Sequence, residues 1–92
     1  MKIKEIKNNA KNELCVVIEK SFLWIKNKKT VKFTGNIEVL KNRTLWFMYF
    51  CDFNGKVLSF DENEQITNYL RINHENIIKK IELKIATRYG IS

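Results

Sequence analysis

Apolar residues recur at two different periods along this chain, and the switch between them marks out its elements. From Ile3 the row Ile3, Ile6, Ala10, Leu14, Val17, Ser21 and Ile25 advances in steps of three or four, with Ile18 and Phe22 widening it. That spacing predicts an amphipathic helix that ends within residues 20–22. The runs Cys15, Val16, Val17, Ile18 and Phe22, Leu23, Trp24, Ile25 suit a strand equally well on propensity, so residues 15–25 have two readings.

The period then shortens to two. Residues 30–34 alternate apolar and polar, Gly35 and Asn36 interrupt, and residues 37–40 resume, which predicts one strand carrying a bulge at Gly35. After a turn at residues 41–44, residues 45–53 form the most aromatic stretch of the chain and are expected to be the central strand. Asn54 and Gly55 follow as a two-residue turn into residues 56–60, because both positions of a type I′ turn need positive φ. In that register Phe53 faces Lys56, Cys51 faces Leu58 and Tyr49 faces Phe60. One side then carries Leu45, Phe47, Tyr49, Cys51 and Phe53 with Leu58 and Phe60 and is assigned to the core. The other carries Trp46, Met48 and Phe50, an apolar patch that must be covered by a helix, a second copy of the protein or a partner.

Residues 61–64 are acidic and polar, with Asp61 or Asn63 placed to cap a helix. The row Ile66, Leu70, Ile77, Ile81, Ile85 continues it to about residue 89, with Gly90 as a stop. A competing parse breaks this helix at residues 71–73, with Asn73 capping the second piece, and resembles the second half of a helix-turn-helix. The expected architecture is a single α+β domain over residues 1–92, ordered α-β-β-β-α, with a three-stranded antiparallel meander and terminal helices. That order is similar, in topology alone, to small double-stranded-RNA-binding folds.

Charge adds a direction to this picture. The chain carries a formal charge of +7, and residues 1–43 hold eleven Lys or Arg against four Glu, so the excess lies in the first half. The basic positions expected to meet a polyanion are Lys26, Lys28, Lys29, Lys32, Lys41 and Arg43, in loops that an antiparallel meander would bring to one end. The ridge Asn76, Lys80, Lys84 and Arg88 on the last helix is a second candidate. Against this, Lys, Asn and Ile dominate as AT-rich coding alone would produce, and Arg, the bidentate phosphate ligand, occurs three times.

Candidate chemistry is thin. Gly35, Gly55 and Gly90 are the only glycines, which excludes a glycine-rich phosphate loop. Cys15 and Cys51 lie in apolar runs and His74 is the one histidine, so neither a metal site nor a cofactor is expected. The cysteines, and the lack of a signal sequence or membrane span, predict a cytoplasmic protein. Three functions remain. The first is a non-enzymatic binder of nucleic acid or a nucleoprotein complex, acting through the basic loops. The second is a phage-like inhibitor or adaptor that holds an acidic protein through Trp46, Met48 and Phe50. The third is a small ribonuclease using His74.

Overall fold

Residues 2–22, expected as a helix, are two antiparallel strands. The computed structural model describes residues 1–40 and 44–88, with side chains described at 1–36 and 46–84. Four strands, β1 (Lys2–Asn8), β2 (Leu14–Phe22), β3 (Ile25–Leu40) and β4 (Thr44–Cys51), pair in sequence order. Two helices follow, α1 (Phe60–Asn73) and α2 (Glu75–Arg88). The class is α+β, but the order is β-β-β-β-α-α, and the similarity to RNA-binding topologies goes with it. None of the described helices is long and apolar enough to cross a membrane.

A bulge explains the misleading period. Ile3 pairs with Ile18 and Ile6 with Val16, with a register shift between Ile3 and Glu5. The extra residue puts Ile3 and Ile6 on one face of a strand at the spacing a helix would give. The β1–β2 turn is built by Asn9, whose Oδ1 accepts from the Lys11 and Glu13 amides at 3.0 and 2.9 Å. Asn12, at φ 60°, takes the left-handed position that asparagine tolerates. The bulge expected at Gly35 is present, between Phe33 and Gly35. There the Tyr49 ring lies so close to Gly35 that an added Cβ would sit 2.8 Å from it.

The second turn differs from expectation. β4 stops at Cys51, and residues 52–58 reverse the chain without forming a strand; a single bridge joins Cys51 to Val57, not Leu58. Asp52 organises that reversal, its Oδ1 accepting from the Asn54 and Lys56 amides at 2.9 Å each. These bonds hold the Asp52 carboxyl below its ordinary range, the Lys56 amide foremost. Ser59, rather than Asp61 or Asn63, caps α1 in a capping box with Glu62.

The face assignment is inverted along most of β4, although Cys51 and Leu58, both expected on the core side, are buried. Val16, Ile18, Val31, Met48 and Phe50 form the core with Ile66 and Leu70 of α1 and Ile78 of α2. β4 is therefore an edge strand with α1 laid along it, not the centre of the sheet. Side chains at i, i+4 and i+8 of α1 close that edge. Asn63 Oδ1 accepts from the Phe50 amide at 2.9 Å and Asn63 Nδ2 donates to the Leu58 carbonyl at 3.1 Å. Thr67 Oγ1 accepts from the Met48 amide at 3.0 Å, and the Arg71 guanidinium donates to the Trp46 carbonyl at 2.6 Å. Backbone groups that an edge strand leaves open are thus satisfied by a polar stripe on a helix.

Candidate nucleic-acid interface

The β2–β3 hairpin outruns its neighbours. β1 last pairs with β2 at Lys2 and Glu19, and β4 first meets β3 at Lys32 and Cys51. The ribbon of residues 20–28 is exposed throughout. The radius of gyration is 14.1 Å, against about 12 Å for a compact domain of this length. The pairing Phe22 with Ile25 leaves Leu23 and Trp24 as a two-residue turn. Leu23 sits at φ 57°, a region bulky side chains rarely enter. Phe22, Leu23, Trp24 and Ile25 are 75, 73, 87 and 54 % exposed.

Lysines line this ribbon. Residues 20–29 carry Lys20, Lys26, Lys28 and Lys29 and no acid. Alternation puts Lys26, Lys28 and Lys32 on the sheet face away from the helices, where Lys2 and Lys7 of β1 are also exposed. Glu19 lies between Lys2 and Lys28 in the register. Among the described residues neither Lys26 nor Lys28 forms an ion pair. Lys32 lies 3.7 Å from Glu13 and 6.0 Å from the Phe53 ring centroid. Lys29 faces the other way and helps to hold the Asp52 carboxyl ionised. Lys20 pairs with Glu62 of α1.

The structure separates the other predicted groups. Residues 26–29 begin β3 and Leu40 ends it, roughly 40–50 Å away along the strand, so the two basic segments do not share an end. Lys41 and Arg43 themselves lie outside the described residues. Asn76, Lys80 and Lys84 are exposed on α2, and the last two flank a groove with Asn8, Asn12 and Glu13 at the β1–β2 turn, the end of β2 opposite the ribbon tip. The Arg88 side chain lies outside the described ones. The proposed partner surface does not exist as a surface: Met48 and Phe50 are fully buried under α1, and half-buried Trp46 has the Arg71 guanidinium 5.1 Å from its ring centroid. Its cover is intramolecular.

His74 ends α1 at φ −137° and ψ 56°, breaking the expected single helix in two. The break matches the two-helix parse, but His74 rather than Asn73 is the residue between; its carbonyl accepts from the Ile77 amide at 3.0 Å. The imidazole is half-buried, 6.0 Å from the Tyr69 ring, in a depression lined by Asn73, Glu75 and Asn76. Cys15 and Cys51 flank Lys32 on either side, two strand spacings or roughly 10 Å apart, and both are free and buried.

Sequence reasoning missed the tip itself. Four consecutive large apolar residues set between Lys20 and Lys26 were the signal: a strand buries alternate residues, so an unbroken run at a turn has no core to enter. The chain matches no family model, no curated protein and no solved structure.

Proposed function

We propose that this protein is a non-enzymatic binder of nucleic acid, alone or within a nucleoprotein complex, and that the β2–β3 ribbon is the binding element. The supporting observation is the projecting ribbon itself, with four lysines and no acid over residues 20–29 and an exposed apolar end. Ammonium groups at alternate positions of a strand recur about every 6.6 Å, which suits a linear polyanion better than a compact acidic patch. Lys41 and Arg43 belong to a different part of the chain and are left out of this interface.

Counterion release supplies the free energy of such binding. If Lys26, Lys28 and Lys32, which share a face, each neutralise one phosphate, the slope of log K against log salt is roughly −2.1 for single strands and −2.7 for duplex. Raising salt from about 50 to about 200 mM then weakens binding roughly 20- to 40-fold. Fluorescence anisotropy with labelled DNA and RNA measures this directly. Replacing Lys26 and Lys28 together by Glu is expected to abolish binding at the higher salt. Salt-insensitive binding, or none at low salt, refutes the proposal. Labelled RNA is expected to stay intact during the assay, and cleavage lost in His74→Ala would restore the ribonuclease.

A further inference from the structure

We propose that residues 22–25 form an apolar wedge for unpaired bases, so that the ribbon selects single strands over duplex; this rests on the polyanion-binding reading above. Three observations carry it. Phe22 and Trp24 are among the most exposed large apolar side chains of the described chain, at 75 and 87 %. Aromatic faces of this kind stack on any base, and apolar side chains wedge between base steps. Leu23 occupies a left-handed backbone position that glycine would fill without cost, so the turn keeps an apolar side chain at the end of the ribbon against its local preference. The lysines also form a line and not a collar. Lys26, Lys28 and Lys32 run back from Ile25 along one face of β3, the last about 23 Å behind the tip, and Lys7 of β1 lies level with Lys32, roughly 10 Å across the sheet through Cys15.

That line decides between two anionic ligands. A bilayer would take the tip to a depth of about 5–10 Å and use only the lysines level with its head groups, leaving Lys32 without a role. A polynucleotide lying lengthwise on the ribbon uses the whole row. Its phosphates follow Lys32, Lys28 and Lys26, and its bases meet the apolar end where the protein stops. A continuous duplex keeps its bases stacked inside and offers that end nothing to hold.

The experiment uses the full chain with Trp46→Phe, which leaves Trp24 as its sole tryptophan. Anisotropy is read with a labelled oligonucleotide of about 12 nucleotides, with its blunt duplex, and with phosphatidylserine vesicles by sedimentation. Single strand is expected to bind at least about fivefold tighter than duplex and to quench Trp24 emission. Trp24→Ala is expected to weaken single-strand binding about fivefold or more while leaving duplex binding and the thermal melt unchanged. Equal binding of both forms, unaffected by Trp24→Ala but lost with Lys26→Glu and Lys28→Glu, overturns the wedge and leaves the basic ribbon standing. Vesicle binding with a blue-shifted Trp24 and no nucleic-acid binding overturns both.

Discussion

Thr67→Val removes one oxygen from the seam between α1 and β4 and changes little else. Valine keeps the branched shape of threonine and has a similar helix propensity, so packing and local preference are nearly constant. The Met48 amide, on a fully buried residue, then loses the Thr67 Oγ1 acceptor 3.0 Å away. β3 cannot take it over, because Met48 is paired with Asn36 in a register that points this amide outward to α1. An orphaned buried donor costs about 1–3 kcal/mol, a large share of the roughly 5–15 kcal/mol that holds a small domain together. The melting temperature is expected to fall by about 4 °C or more, with a lower urea midpoint and unchanged slope. Amide hydrogen exchange resolved at Met48 gives the local readout, since exchange there should quicken more than at Val16 in the sheet interior. A variant within about 0.5 kcal/mol of wild type, with Met48 as slowly exchanging as before, would show that the edge is not held by this stripe. Asn63→Leu strips both the Phe50 amide and the Leu58 carbonyl of their partner and is expected to cost at least as much, even after the gain from burying a leucine.

Three further outcomes follow from geometry on the same sheet. Burial raises the Glu62 carboxyl, but Lys20 and the Ser59 hydroxyl and amide more than offset it, and the net shift is downward from 4.5. The folded state therefore binds fewer protons than the unfolded one, and this stabilisation is present above about pH 4.5 and lost as pH falls through the lowered value; Glu62→Gln should be less stable than wild type at pH 7, with the gap in urea midpoint closing toward pH 3. Leu23→Gly relieves a left-handed leucine, worth about 1–2 kcal/mol, against a smaller cost from the added entropy of the unfolded chain, so stability should hold or rise while binding weakens; a drop in melting temperature would show that Leu23 is not strained. Gly35→Ala pushes a Cβ to 2.8 Å from the Tyr49 ring and should cost about 1 kcal/mol, most of it recovered when Tyr49 is also alanine; an unchanged penalty in the double variant would place the cost in the backbone of the bulge.

The class of the fold was legible because the aromatic strand, the bulge at Gly35 and the capped, isoleucine-rich helices each leave a local mark. The hairpin of β1 and β2 was not, since the extra residue beside Ile3 reproduced a helical step and Asn9 built a turn without glycine or proline. The inverted core had a similar cause. Both faces of β4 are apolar, so alternation alone cannot say which is buried; the deciding fact is that Asn63, Thr67 and Arg71 bind the outward backbone groups of Trp46, Met48 and Phe50. Of the candidate site, the lysines at 26, 28, 29 and 32 were found as a cluster, but as a loop. Their arrangement into a line depended on β3 beginning at Ile25, five residues earlier than its alternation suggests.

The two margins of the sheet restrict how this molecule meets others. Along β4 the polar stripe of α1 already holds the Met48 and Phe50 amides and the Trp46 carbonyl, and along β1 the bulge near Ile3, with Lys2, Lys4 and Lys7, bends and repels an incoming chain. Pairing of a foreign strand is thereby disfavoured along β1 and along β4 from Trp46 to Phe50. The proposed binding accordingly uses the lysine-bearing sheet face and the protruding finger, where contact would be made by side chains and be released by salt.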